Sequence, residues 1–140
     1  MNKKYQNLTV YIALIILFVL GVVTIFNTIN SFGGGDNVSH YFGSHWGWKH
    51  PAYLFNHWHK PVFTILSSPF AQFGFNGLRI YNLMVGLSTA FITYKIAQHF
   101  QLKTAWIAIG FTLLTPIYFI MVFTGLTEVT FSFFLMLSIY

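Results

Sequence analysis

Long uncharged stretches separated by short polar segments dominate the pattern of the 140-residue chain. The first stretch extends from Leu8 to Phe26 and follows a basic start, MNKKYQN. A cleaved signal peptide has a shorter apolar core, about 7–15 residues, and a small-residue cleavage site, which NTINSF does not offer. About 20 apolar residues are enough to cross the hydrocarbon of a bilayer. The pattern therefore predicts a retained transmembrane helix over residues 8–29.

Three further apolar stretches lie in the second half of the chain. They predict spans over residues 78–98, 104–124 and, incompletely, 127–140. Pro116 falls inside the third span, where neighbouring helices can satisfy the carbonyl group that a proline leaves unpaired. Arg79 and Lys95 lie near the ends of the second span, so we expect their long side chains to reach the lipid headgroups. Only twelve residues follow Glu128, so we expect the chain to be the N-terminal part of a longer protein.

The polar segment between the first and second spans, residues 30–77, is expected to form a large outer loop. It is rich in glycine, asparagine, serine, histidine and tryptophan. Within it, PVFTILSSPFAQFGF is uncharged but contains Pro69 and Gly74, which rarely interrupt the middle of a spanning helix. We therefore expect a pair of short helices, lying at the membrane surface, over residues 61–77. In a rival topology this segment crosses the membrane and puts the two acids of the chain on opposite faces.

These segments predict an all-α, multi-pass transmembrane protein with short membrane-parallel helices in its first outer loop, truncated after about four spans. The composition agrees, because charged residues make up 6% of the chain against about 25% in soluble domains. The formal charge of +5 is typical of contacts with membrane lipids, and no long basic run predicts nucleic-acid binding. The absence of cysteine excludes disulfides and thiolate metal sites.

Polar chemistry is concentrated in one part of the loop, HWGWKHPAYLFNHWHKP. This stretch contains two lysines, four histidines and three of the four tryptophans. The histidines have no regular metal-ligand spacing such as H-E-x-x-H, so a histidine-based metal site is the weaker interpretation. The tryptophans either stack on sugar rings or anchor the loop among headgroups. Lys60, directly before Pro61, either pairs with a lipid phosphate or serves as an ordinary headgroup anchor.

The only two acids of the chain, Asp36 and Glu128, are expected on the same outer face. The distribution of lysines favours a cytoplasmic N-terminus, which puts both the loop and the start of the fourth span outside. Acids at a membrane boundary are costly enough to indicate a task, although an acid at the outer edge can simply face water. Asp36 follows three glycines that permit a tight turn, and its spacing alone fits a functional acid and an ordinary solvated loop residue or helix N-cap equally well.

The order of these motifs resembles that of the integral-membrane GT-C glycosyltransferases. The segments GGDNVSHYF, HWHKP, FGFNGLRIYNLMVGL and TGLTEVTF are similar to the N-terminal part of the protein O-mannosyltransferase and aminoarabinose-transferase type, over nearly the whole chain. The resemblance implies transfer of a sugar from a polyprenyl-phosphate carrier to a lipid, glycan or protein acceptor on the outer, periplasmic face of the cell membrane. The alternatives are a non-catalytic membrane subunit or transporter fragment and, less favoured, a histidine-based metal-binding membrane protein.

The resemblance also implies roles for particular residues. Asp36 matches the catalytic acid of the family, and Lys60 matches the lysine that contacts the carrier phosphate. The other substrate-binding candidates that it implies are His40, Tyr41, His59, Arg79 and Glu128. Asn37 stands where many members have a second acid, and Val62 stands where a second proline is usual. The cofactor is undetermined, and a divalent cation at the acid is the one that the resemblance suggests.

Overall fold

The computed structural model describes residues 3–29 and 32–140, which form seven α-helices and no β-strand. The helices are α1 (Lys3–Asn27), α2 (Gly34–Trp46), α3 (Pro61–Ala71), α4 (Phe75–His99), α5 (Ile107–Leu114), α6 (Pro116–Val122) and α7 (Glu128–Ile139). A single 3-10 turn, Pro51–Tyr53, lies between α2 and α3. The prediction of an all-α fold is confirmed.

The first helix is the element that indicates a membrane. Within the described residues, α1 alone is both long enough and apolar enough to cross a bilayer, from Tyr5 to Asn27. Many of its large apolar side chains are exposed, including Ile15 and Val23. Exposed apolar surface of this extent marks contact with another apolar phase. Association with a membrane through α1, which overlaps the predicted span 8–29, follows from these features.

The central element is α4, against which every other α-helix packs. It runs antiparallel to α1 over the length of both helices. At one end, Asn7 accepts hydrogen bonds from Tyr94 and Gln98, and at the other end Arg79 donates to the carbonyl of Ile25. These contacts divide the molecule into two ends, and the predicted site residues belong to the end that contains Arg79.

The predicted span over residues 104–124 is not one continuous helix. The residue before a proline is pushed towards extended backbone angles, and Thr115, with φ −60° and ψ 117°, separates α5 from α6. The expectation that Pro116 lies inside an unbroken helix is therefore wrong. The two short helices still lead the chain from Ala105, which packs with Val10, back to the end of the molecule that contains Arg79.

Two short helices, α2 and α3, lie within the predicted outer loop and run parallel to each other. Ser44 of α2 shares a hydrogen bond with Ser67 of α3, and Ser68 donates to the carbonyl of Ser44. The prediction of two short helices within residues 61–77 is wrong, because α3 continues as one helix through Pro69 to Ala71. The break comes at Gly74, whose φ of 83° is readily adopted only by glycine, and α4 begins at the next residue.

Candidate functional site

An apolar groove of about 570 Å³ lies between the start of α3 and the first turns of α7. Its walls are formed by the side chains of Val62, Phe63, Phe131 and Phe134. Lys60, which directly precedes α3, and Glu128, the first residue of α7, both line the groove. Both side chains are exposed. The groove therefore combines apolar walls with one cation and one carboxylate at the helix starts.

The backbone of Lys60 is held in a conformation that is uncommon for a residue with a side chain. Its φ of 57° and ψ of 94° lie outside the extended region that a residue before proline normally adopts. Thr64, which is fully buried, restrains this turn. Its hydroxyl donates to the carbonyl of His59 at 2.6 Å, and its amide donates to the carbonyl of Lys60 at 3.0 Å. The fold therefore determines the direction in which the Lys60 side chain leaves the backbone.

The imidazole of His59 packs directly on the backbone of α2. A Cβ atom at Gly43 would lie 2.6 Å from the His59 ring, so only glycine allows this approach. Nε2 of His59 lies 3.4 Å from the hydroxyl of Ser39, one helical turn before Gly43. With 8% of its surface exposed, His59 is almost completely buried. Its contact with α2 positions the residue that immediately precedes Lys60.

His40 is buried next to His59 and Phe63. Its buried ring lies edge-on to Phe63, with 5.6 Å between ring centres, and 6.5 Å from the ring of His59. Burial is the main cause that lowers the pKa of His40 below its ordinary value, and electrostatic interactions with His59 and Lys60 lower it further. Glu128 and Asp36 act in the opposite direction and raise this pKa. The net lowering of its pKa favours the neutral form of His40.

The start of α7 is positioned by a buried amide. Nδ2 of Asn82 donates to the carbonyls of Thr124 and Leu126, at 2.6 and 2.9 Å. Gly125 lies between these two residues and packs so closely on Leu78 that a Cβ atom would clash with it. Glu128 follows in the first turn of α7, where the partial positive charge of the helix N-terminus favours a carboxylate.

Asp36 lies in the first turn of α2, with an exposed side chain. Its amide donates to the carbonyl of Gly33 at 3.1 Å, and Gly33, with φ 113°, is the N-cap. Asp36 is therefore an acid of the first helical turn, and neither of the two expected local roles, loop residue or N-cap, describes it. The N-terminal dipole of α2 favours its negative charge.

Four of the six predicted substrate-binding residues do not line the groove, namely His40, Tyr41, His59 and Arg79. Tyr41 packs on Phe75 of α4, with 5.8 Å between ring centres, and on the buried cluster around Leu78. Arg79 is 2% exposed, so the expectation that it reaches the headgroups is wrong. Its guanidinium donates to the carbonyls of Ile25, Thr28 and Phe123, at 2.8–3.0 Å. Arg79 therefore joins the C-terminal ends of α1 and α6 to α4.

Several residues of the site are missing from the sequence-based set. The α7 side of the groove is formed by residues spaced as one helical face, namely Thr127, Thr130, Phe131 and Phe134. This spacing of three and four residues is visible in TGLTEVTFSFF and could have predicted a common face. No comparable pattern in the sequence identifies Gly43 or Thr64. Gly43 contacts His59, which is 16 positions away in the chain. Thr64 hydrogen-bonds to the turn that precedes its own helix.

The described residues contain no set of three or more histidine, aspartate or glutamate side chains that could hold a metal ion. The rings of His40 and His59 lie 6.5 Å apart, measured between their centres. Asp36 belongs to no group of three or more such side chains in the described residues. The same arrangement gives no support to a dedicated histidine-based metal site in the part of the chain that the structure describes.

Five of the seven predicted site residues lie on α2, just before α3 or at the start of α7, and are called the charged cluster below: Asp36, His40, His59, Lys60 and Glu128. Next to them opens a groove suited to an apolar chain with a charged end. Comparisons of the chain with protein-family models, curated proteins and solved structures find no match. The function is therefore inferred from the geometry and chemistry of this site.

Proposed function

We propose that the protein is a multi-pass membrane glycosyltransferase that uses a polyprenyl-phosphate sugar. The observation that carries this proposal is the pairing of Lys60 with an apolar groove of about 570 Å³. A polyprenyl phosphate has the complementary pattern, an anionic phosphate joined to a long hydrocarbon chain. The ammonium of Lys60 would bind the phosphate through charge-assisted hydrogen bonds, while Val62, Phe131 and Phe134 would contact the first isoprene units.

The charged cluster supplies groups for the transfer step. The hydroxyl or amine of the acceptor attacks the anomeric carbon, and the bond from that carbon to the phosphate oxygen breaks. Asp36 takes the acceptor proton as the general base, and Lys60 stabilises the charge that develops on the departing phosphate. Glu128, at the groove, would accept hydrogen bonds from sugar hydroxyls.

The packing of the helices supports more than one membrane crossing. With 25 residues, α4 is about 37 Å long, and it lies alongside α1 from end to end. The α5–α6 pair connects the same two ends. If α1 crosses the cell membrane with its N-terminus in the cytoplasm, the cluster around His40 lies at the outer face. A lipid-linked donor suits that face, because nucleotide sugars are cytoplasmic.

The donor site is tested by comparing polyprenyl phosphate with the uncharged polyprenol, using the full chain reconstituted in lipid nanodiscs. Wild-type protein is expected to prefer the phosphate, and Lys60→Ala should weaken phosphate binding at least tenfold, or about 1.4 kcal/mol. Lys49→Ala is the matched control, because Lys49 is also an exposed lysine of the same loop but does not line the groove. Equal binding of both lipids, or equal losses in both variants, would contradict the donor site.

The catalytic step is tested with Asp36→Asn, measured by transfer of labelled sugar from a polyprenyl-phosphate donor to membrane acceptors. This variant should lose transfer but keep normal expression, membrane insertion and polyprenyl-phosphate binding, because only the proton acceptor is removed. Wild-type turnover in Asp36→Asn would show that the aspartate is not the catalytic base.

A further inference from the structure

A second groove, of about 530 Å³, lies along the exposed face of α2. Its floor is formed by Gly35, Ser39 and Gly43, which are four residues apart and therefore lie on one face of the helix. The adjacent residues His59 and Lys60 border different grooves. Lys60 lines the apolar groove beside α7, whereas His59 lines the groove on α2.

Aromatic rings form the walls of this second groove. Phe42 and Trp46 project from α2, and Tyr53 projects from the 3-10 turn. All three side chains are exposed, Trp46 to 38%. The ammonium of Lys49 lies 5.1 Å from the centre of the Trp46 ring, a cation–π contact that restrains the orientation of the indole. The groove therefore presents oriented aromatic surface next to small residues.

One ring nitrogen of His59 lacks a hydrogen-bond partner in the described part of the protein. Its imidazole is more than nine-tenths buried, and Nδ1 has no hydrogen-bond partner among the described residues. The contact from Nε2 to the hydroxyl of Ser39, at 3.4 Å, is longer than an ordinary hydrogen bond. A buried polar group without a partner is costly. Nδ1 is buried against Gly43, so a ligand in the groove would exchange hydrogen bonds with the hydroxyl of Ser39.

These features select the class of ligand. The lining contains no lysine, arginine, aspartate or glutamate, and the nearby ammonium of Lys49 is engaged with the ring of Trp46, so the lining itself favours an uncharged ligand. A pure hydrocarbon would offer no hydrogen bond to the hydroxyl of Ser39, which lines the groove. A neutral sugar ring matches both the aromatic walls and the polar floor of the groove. Its C–H faces pack on aromatic rings, and its hydroxyls exchange hydrogen bonds with polar side chains.

We propose that the groove on α2 binds a neutral saccharide, with Trp46 as its main stacking platform. The floor of the groove begins at Gly35, directly before Asp36 in the sequence. A saccharide in it would present a hydroxyl near the acid at the start of α2. Its role as the acceptor subsite rests on the proposed transferase function, whereas saccharide binding itself does not.

The test uses the full chain in lipid nanodiscs and a panel of neutral di- and trisaccharides with capped reducing ends. We expect at least one to bind with a dissociation constant of about 1 mM. Trp46→Leu should weaken this binding at least tenfold, and Trp46→Tyr should retain most of it, because a tyrosine ring still offers a stacking face. Trp48→Leu is the matched control, because Trp48 is an exposed tryptophan of the same loop outside the groove.

The possible results separate this site from the proposed transferase. Saccharide binding that is lost in Trp46→Leu and kept in Lys60→Ala supports the groove, even where no transfer is detected. Failure of the whole panel to bind, or equal losses in Trp46→Leu and Trp48→Leu, overturns it. Binding of a short uncharged peptide but of no saccharide also overturns the proposal, and would indicate a peptide-binding groove. If Trp46→Leu transfers sugar with an unchanged acceptor KM, the acceptor role fails while the donor site stands.

Discussion

At the scale of single residues, the site depends on side chains and backbone angles that are unfavourable outside this fold. Lys60 has a positive φ before a proline, and His40 is a buried imidazole among four ionisable groups. Such strained or desolvated positions persist only where the surrounding structure determines them. Here Thr64, Gly43 and Phe63 provide that support, through the contacts described above.

Because Lys60 has a positive φ, two substitutions can test its backbone strain separately from the loss of its charge. Glycine adopts φ 57° at little cost, whereas alanine retains the steric strain. Lys60→Gly should therefore be about 1 kcal/mol more stable than Lys60→Ala, although both lose polyprenyl-phosphate binding. Thermal unfolding of the two variants in the same detergent measures the difference. A less stable glycine variant would mean that the backbone of this turn is not strained.

The lowered pKa of His40 predicts sensitivity to acid. The unfolded chain binds a proton at about pH 6.5, while the folded protein does so only at lower pH. Below pH 6.5 the unfolded state therefore holds more protons, and stability falls as pH decreases, by up to about 1.4 kcal/mol per pH unit.

His40→Phe should flatten this part of the stability curve, as measured by unfolding between pH 7.5 and pH 5 at intervals of about half a unit. His57→Gln, at an exposed histidine, should leave the curve unchanged, and an equally steep His40→Phe curve would refute the assignment.

At the scale of helices, Arg79 shows how neighbouring elements are joined without a salt bridge. Its guanidinium contacts carbonyl groups at the C-terminal ends of α1 and α6, where helix dipoles present partial negative charge. The local sequence near Arg79 indicates a basic residue close to a membrane boundary but says nothing about these partners. They lie 54 and 44 positions away in the chain, and only the packing of three helices brings them together.

Replacing this guanidinium should weaken the contact between the helices. Arg79→Lys keeps the charge but cannot donate to three separated carbonyls at once, so we expect a loss of about 3 kcal/mol in unfolding free energy. Lys95→Arg, at a partly buried lysine near the other end of α4, serves as the control and should change stability by less than about 0.5 kcal/mol. Chemical denaturation in detergent measures both, and equal stability of Arg79→Lys and wild type would show that the carbonyl contacts are dispensable.

At the scale of the whole molecule, the fold has two ends that the predicted topology assigns to opposite sides of a membrane. His57 lies in the loop after α2, near the candidate site, and Thr104 lies between α4 and α5, at the other end. Both side chains are exposed. Since the chain contains no cysteine, a single introduced cysteine is its only thiol and reports on one position.

Labelling with a membrane-impermeant maleimide tests the arrangement in intact cells. We expect His57→Cys to react from outside, and Thr104→Cys to react only after the membrane is permeabilised, because α4 would separate the two positions by about 37 Å. A cysteine that replaces Ser132 in α7 provides a lipid-side control, expected to react slowly in both cases. Labelling of both loop positions from outside would contradict a crossing by α4.

Hydropathy and composition are local properties of the chain, and they were enough to predict the helical class, the apolar first helix and the concentration of polar residues before α3. The resemblance of short motifs supplied candidate site residues such as Asp36 and Lys60, whose roles stay predictions. The packing of the helices places Lys60 and Glu128 in one groove, buries Arg79 and separates α5 from α6 at Thr115. These outcomes depend on contacts between residues far apart in the chain, such as Asn7 with Tyr94, 87 positions away, which no local pattern encodes.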